Sequence, residues 1–450
     1  MQRLINNIIR SRAPLMVALR YVLIGLLVLM GLARLRLILM LLATPTSYTN
    51  RDIVQEYLMA KAVISGINPY QPLNGLMQIF IGNYPYFPHQ APYPPFVAIM
   101  FIPSIWLSLK GIIITWFIIE LVCLAAIACM LTILWNGRLN WNLAIFIFFI
   151  LLAWYPVMND LYHGQLSILL TLLVFAGLLA LHKERKVQTG IFIGISIAIK
   201  LITWPLIIYF LLKKDWRTVV VSSLTALGLN FVTLLIIGIK PFLDYLKVTS
   251  QVVNFWRLVW DNTSLWSIGY RLFEGTKTTI VYNTLEAPPL IFMPKIAPLV
   301  STILVVGFLL IGLVFALHSK DVDVDFAILA CVIVAISPIS WDHYFVMIII
   351  SLVVMLRNLA RNSFPIWQTL IFSLIALLLF FFNDQIVNVV TLLNGGKDLL
   401  QAHGNQVTFG SSLLSCLPLL ELIVLTFLLW RSGVPKKKEK TISNQQIIPD

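Results

Sequence analysis

The chain has 450 residues, 59% hydrophobic and only 11% charged, with a formal net charge of +13. No soluble core of this size hides so much apolar surface, so lipid is the solvent, and the expected class is an all-α polytopic membrane protein. Much of the positive charge sits in short clusters between apolar runs, HKERK (182–186), KKDWR (213–217) and PKKKEK (435–440). Loops held at an anionic cytoplasmic leaflet have this pattern, which argues against a nucleic-acid partner.

In chain order, MQRLINNIIRSRAPLMVALRYVLIGLLVLMG starts basic and runs apolar for longer than a signal-peptide core, which predicts an uncleaved first span over about 15–40. TNRDIVQEYLMAKAVISGINPY (49–70) follows. It predicts an interfacial helix in the first outer loop, with Asp52, Gln55 and Glu56 on one turn, close packing at Ala60 and Ala62, and a stop at Gly66 and Asn68-Pro69. A plainer role for Asp52 is to start that helix after Thr49-Asn50. Segment 92–110, with its internal prolines, reads as a broken or re-entrant piece.

Further spans are expected near 112–135, 141–157, 165–181, 217–238, 297–317, 325–341, 344–356, 365–383 and 411–430. Segment 187–212 lies between two basic clusters, so a single crossing would put them on opposite sides of the membrane. A hairpin of two short helices keeps both inside and puts Lys200 at its outward tip. Arms of about 13 residues rise only about 20 Å against a hydrocarbon core of about 30 Å, so Lys200 must open into a recessed polar cavity. The count comes to about twelve spans in one membrane domain, 1–434, with a basic cytoplasmic tail at 435–450 and both termini inside. Loops 43–92 and 240–295, YHGQ (162–165) and WDH (341–343) then fall outside.

Cys123, Cys129, Cys331 and Cys416 lie inside apolar runs with no CxxC pair, which reads as packing and neither a disulfide framework nor zinc. The embedded polar residues are Asp52, His163, Gln165, Lys200, Asn262, Asp342 and His343, all on the outer side of this topology. A lone His or Gln in a membrane usually pins two helices, but an ammonium needs an anion or a wet cavity. Arg34 and Arg36 read either as snorkelling to the outer interface or as touching a lipid phosphate. Asn262-Thr263-Ser264 is also a formal N-glycosylation sequon. The cytoplasmic half is expected to be nearly free of buried charge.

Asp52 with Tyr57, Ala60, Ala62, Gly66 and Asn68-Pro69-Tyr70 resembles the first-loop signature of glycosyltransferase family 87, a family of polyprenyl-phosphate-sugar-dependent enzymes of the C-type glycosyltransferase superfold. YPPF (93–96), HGQLSILL (163–170), GIFIGISIAIKLITWP (190–205), NTSLWSIGYRL (262–272) and SPISWDHYFV (337–346) are similar to its further blocks, in the same order. After SPISW the family pattern places His and then His or an aromatic, where this chain has Asp342-His343-Tyr344.

The resemblance implies transfer of a hexose, mannose in the best-known members, from a polyprenyl phosphate to a lipid or glycan hydroxyl at the outer face of the bilayer. It implies Asp52 as general base, with Glu56 one turn on as understudy, and no cofactor or metal. Lys200 and His343 are then candidates for the donor phosphate. His163, Gln165 and Asn262 are candidates for sugar hydroxyls or for helix pinning, and Tyr93, Trp341 and Asp342 complete the expected substrate contacts. The rival readings are a transporter or flippase of a lipid-linked sugar, and a lipid-linked polysaccharide polymerase or ligase. A carrier would need ionisable groups on both sides of the midplane.

Overall fold

The computed structural model describes residues 2–44, 51–82, 89–277, 285–361 and 364–433, with side chains from residue 22 onward. Thr49-Asn50 and the basic tail at 435–450 lie outside the described residues. Everything regular among the described residues is helical, apart from two isolated β-bridges, Val259–Lys277 and Glu286–Gln406.

In order, α1 is Gln2–Ala43, α2 Ile53–Ile64, α3 Leu73–Phe80, α4 Pro95–Met100, α5 Leu109–Asn136, α6 Trp141–Ala153 and α7 Tyr155–His163. Next come α8 Ser167–His182, α9 Lys186–Ile199, α10 Pro205–Leu212, α11 Trp216–Ile237, α12 Ile239–Trp256, α13 Leu265–Phe273, α14 Ala297–His318 and α15 Val322–Ile336. The chain closes with α16 Ile349–Arg361, α17 Ile366–Leu377, α18 Ile386–Leu393, α19 Lys397–Ala402, α20 Phe409–Leu414 and α21 Leu417–Gly433.

Five segments are long and apolar enough to cross a membrane: Val22–Ala43, α5, α11, α14 and Asp342–Arg361, and the number reaches seven if each bent pair is one span. The run expected at 141–157 is one such pair, with α6 and α7 meeting at 75°. Trp154 is extended there and Pro156 sits in the first turn of α7, so proline starts a new helix in a new direction. Segment 92–110 is likewise broken, into α4 and a 3-10 turn at Ile102–Ser104. The first-loop helix α2 is not laid on an open surface. Ile53 through Ala60 are all buried, and α3, α4 and α5 enclose it. Its apolar content is spent inside the protein.

α9 and α11 run side by side in the same direction, with Gly190 against Val221 and Gly194 against Ser222 and Thr225. A Cβ on Gly190 would lie 2.7 Å from that of Val221, and one on Gly194 2.6 Å from the Ser222 carbonyl oxygen, so only glycine permits the approach. Lys186 Nζ, at the start of α9, lies 3.1 Å from Asp215 Oδ1 at the start of α11. The chain therefore rises along α9, breaks at Lys200 and returns through α10. HKERK and KKDWR meet at one end of the bundle.

That end is more charged in its interior than the sequence suggests. The DVDVD stretch at 321–325 sinks into the bundle. Asp323 pairs with Arg357 and with His182 (2.6 Å), Asp321 accepts from Arg357 (3.0 Å), and Asp325 takes Lys213 (3.3 Å) and the Tyr209 hydroxyl (2.6 Å). The expectation of a half nearly free of buried charge at the end of HKERK and KKDWR is corrected here: buried acids are tolerated because α8, α10 with its C-cap Lys213, and α16 bring cations or donors to them. They form a closed set of pairs. Arg357→Met should cost about 3 kcal/mol or more, because it strands Asp323 without its main cation. The thermal midpoint of detergent-purified protein reads this out, and Arg357→Met/Asp323→Leu should recover part of the loss. Equal losses in the single and double variants would show that the pair is not coupled.

Candidate active site

α9 carries 14 residues from the ionic end to Lys200, a rise of about 20 Å. At its far end a cavity of about 510 Å³ opens. Asp52, Tyr93, His163, Gln165, Lys200, Trp341, Asp342 and His343 all line it, although they come from five separate stretches of sequence. Glu56 and Asn262 do not.

Asp52 stands at the head of α2 but gives its helix no side-chain cap. Gln55 Nε2 donates to its Oδ1 (2.9 Å), Gln165 Nε2 donates to its Oδ2, and His163 Nδ1 is 3.9 Å from Oδ2. Two amides therefore orient an acceptor that faces the cavity. Gln165 can reach it because Gly164, at φ +68°, ends α7 in a left-handed turn. A Cβ there would come within 2.8 Å of that of Ile53, in the first turn of α2. The HGQ motif thus clips the end of α7 against the start of α2.

Glu56 is fully buried one turn below, on the same helix. Burial drives its carboxyl well above the ordinary carboxylate range and the charge of Asp52 adds to this, against the helix backbone, Tyr93 and Lys200.

Lys200 is extended at the C-terminus of α9, and Pro205 starts α10 after a 3-10 turn at Leu201–Thr203. Ser196 and Thr203 share a hydrogen bond across that break (2.9 Å). The Lys200 ammonium sits 4.1 Å from the centre of the Tyr344 ring and 5.7 Å from that of Tyr93. Among the described residues it has no carboxylate within 4.0 Å. His343 is buried against Tyr344, and its Nε2 has no hydrogen-bond partner among the described residues. Tyr93 donates to Gln165 Oε1 (3.4 Å), which links the basic and acidic walls.

Asn262 is a brace. Its amide donates to the carbonyls of Trp256 and Pro338 (3.2 Å each), and its Oδ1 accepts from the amides of Ser264 (3.1 Å) and Ser340 (3.0 Å). NTS (262–264) and SPIS (337–340), separate motifs in the sequence, are one hydrogen-bonded unit that positions Trp341-Asp342-His343. A side chain so enclosed is no substrate for glycosylation. Fully buried Arg271 supports the same loop by donating to the carbonyls of Trp260, Asn262 and Ser412.

Several lining residues gave no sequence signal, among them Tyr155, Asn159, Tyr245, Trp256 and Asp261. Burial raises the Asp261 carboxyl to about 6, with Arg271 opposing. Arg34 stands over the Tyr155 ring at 5.9 Å, within reach of the cavity wall. No three His, Cys, Asp or Glu among the described residues converge as metal ligands would.

Residues 92–338 match the model of glycosyltransferase family 87. The matched stretch includes Tyr93, His163, Gln165, Lys200 and Asn262 but stops short of Asp52 and of Trp341–His343. A polyprenol-phosphate-mannose-dependent alpha-(1-2)-phosphatidylinositol mannoside mannosyltransferase from Mycolicibacterium smegmatis is 24% identical over 302 residues, covering 62% of this chain and 64% of that protein. The chain thus spans a little under two thirds of that relative's length.

The HGQ turn gives a test. Gly66 also has φ +68° but has open space where a Cβ would go, so Gly66→Ala should cost only the left-handed strain, about 1–2 kcal/mol. Gly164→Ala adds the collision with Ile53, so it should lower the thermal midpoint further. Equal midpoints would show that Ile53 gives way without cost.

Proposed function

The chain belongs to glycosyltransferase family 87, and from that premise we propose that it moves a hexose, mannose in the first instance, from a polyprenyl phosphate to a hydroxyl of a lipid or glycan acceptor. The observation that carries this reading is the pairing of opposite chemistries in one cavity: an oriented carboxylate, Asp52, and an ammonium, Lys200, with no carboxylate partner among the described residues.

The acceptor hydroxyl attacks the anomeric carbon and its proton passes to Asp52, while the bond from that carbon to the phosphate oxygen breaks. The polyprenyl monophosphate leaves with the negative charge. Lys200 meets that charge as a point cation and His343 donates through Nε2. Gln55 and Gln165 hold Asp52 aimed into the cavity. Glu56, buried and pushed toward its neutral form, suits the role of understudy less well than that of support. His163, Tyr93 and Asp342 are left to contact sugar hydroxyls, and Asn262 to hold the loop that presents them.

Leu201 and Trp204 line the cavity yet are 52% and 39% exposed, so its rim continues onto the outer apolar surface of the bundle. A polyprenyl tail can remain in lipid there while its phosphate reaches Lys200. That supports a lipid-linked donor. The relative's printed name, with its phosphatidylinositol mannoside, makes a mannosylated lipid a reasonable first acceptor. The C-type architecture, about twelve crossings, cytoplasmic termini and an outward-facing cavity belong to the same proposal. It places HKERK inside because basic loops stay in the cytoplasm.

Purified protein incubated with polyprenyl-phosphate mannose and mannosylated acceptor lipids should yield a product one hexose heavier by mass. Asp52→Asn keeps the shape and should lower turnover by about 10²–10⁴-fold with donor affinity intact. Lys200→Met should weaken donor binding, and Lys200→Arg should retain part of it. Wild-type rates in both Asp52→Asn and Glu56→Gln would sink the mechanism. For the sidedness, a cysteine at Glu184 should resist impermeant thiol reagents in intact cells. Labelling from outside would invert the topology.

A further inference from the structure

The cavity has a third wall that the transfer chemistry does not use. It is built by α12 and the residues just after it, in the long loop expected at 240–295 where the sequence shows no specificity code. α12 begins at Gly238, directly after the candidate span α11, and it is amphipathic. Ile239, Leu243, Leu246 and Phe255 are exposed, while Tyr245, Val248, Val252 and Trp256 are buried. It also carries Lys240 and Lys247. Such a helix lies along a membrane interface with one face in the lipid boundary and the other on the protein.

The inner face lines the cavity with Tyr245, Thr249 and Trp256, at i, i+4 and i+11. Trp256 meets Trp341 edge to face at 5.3 Å and His89 at 5.7 Å, which makes a contiguous aromatic corner. Asp261 lies five residues beyond Trp256 and opens into the same space. Its carboxylate makes no hydrogen bond or ion pair with a described residue. The nearest cation acting on it, Arg271, is committed to backbone carbonyls.

An aromatic corner beside a carboxylate with free lone pairs is chemistry suited to a sugar ring. The weakly polar C–H face of a hexose packs on indole, and a carboxylate accepts from two neighbouring hydroxyls with charge-assisted bonds. Phosphate would be repelled by Asp261, so the leaving group belongs at the other wall. Lys200 touches Tyr93 and Tyr344, whereas Asp52 sits beyond Tyr93 by way of Gln165 and acts electrostatically on His89. In a single displacement the nucleophile and the leaving group lie on opposite sides of the anomeric carbon. The acceptor must therefore enter from the side of Asp52 that faces away from Lys200.

We propose that Trp256, Trp341, His89 and Asp261 form the acceptor subsite, and that what it binds is a hexose ring already present on the acceptor, presented by α12 at the membrane interface. The enzyme would then extend a glycoside and not glycosylate a bare lipid alcohol. This rests on the transferase reading above, so its test includes a measurement independent of turnover.

The probe is methyl α-mannobioside, titrated against the full chain in nanodiscs and followed by saturation-transfer NMR, without donor. Wild-type protein should bind it saturably. Asp261→Asn, which keeps volume, and Trp256→Phe, which keeps an aromatic packing partner, should each weaken binding by about tenfold. In turnover the same variants should raise the acceptor KM and leave the donor KM unchanged. Absence of saturable binding by wild type, or unaltered affinity in both variants, overturns the subsite. Binding that is lost as expected in a protein that takes no polyprenyl-phosphate sugar would uphold the subsite and overturn the transferase.

Discussion

An ammonium inside an apolar bundle, with no carboxylate within 4.0 Å among the described residues, is the constraint around which this molecule is arranged. A lysine side chain in that place, here Lys200, requires that the chain break, that the break be held open, and that polar groups or water reach it. Each condition is met by something local. Pro205 ends the possibility of one continuous helix, Ser196 and Thr203 tie the break, and two tyrosine rings offer their faces to the cation. The glycines of α9 let it lie so close to α11 that the arms can stay short. The cavity opens where those short arms break, at Lys200.

Charge is then sorted between the two ends of the bundle. At one end Asp321, Asp323 and Asp325 meet Arg357, His182 and Lys213 and neutralise one another. At the other, carboxylates and cations are held apart by Tyr93 and Gln165. Paired charges stabilise a structure only modestly or not at all, whereas separated ones hold an electrostatic field that a reacting substrate can use. The contrast between the ends is what distinguishes the cavity from the other buried polar groups. It also weakens the carrier reading: ionisable groups do occur at both ends of the bundle, but among the described residues those at the ionic end are paired with each other.

Much of this was legible in the residues. Charge asymmetry and arm length, both properties of local sequence, predict a break at Lys200 that opens into a cavity, and Lys200 does lie between α9 and α10 on the cavity wall. Gly66 read as the end of the first-loop helix, and it does stand just past Ser65 in a left-handed conformation. What stayed hidden depends on long-range contact. Asn262 reads equally well as a ligand or a brace until Ser340 is seen to donate to it. The α6–α7 bend hides in an apolar run because Trp154-Tyr155-Pro156 looks no different from a span with one proline. DVDVD reads as a loop, since nothing in its own composition announces Arg357.

α12 shows the same limit most clearly, and shows what geometry adds. In sequence it is an unremarkable mix of apolar and basic residues between a span and a glycosylation-like triplet. Only its position, following the long apolar helix α11 and ending against Trp341 near Asp261, makes its inner face part of the cavity. Two requirements then converge on it. In the proposed reaction a lipid-anchored acceptor would have to stay in the membrane while its reactive hydroxyl reaches Asp52, and the hydroxyl would have to arrive opposite the leaving phosphate. An amphipathic helix placed in the interface, greasy outside and aromatic within, would satisfy both at once, whereas a purely extramembrane loop would satisfy neither without lifting the acceptor out of the bilayer.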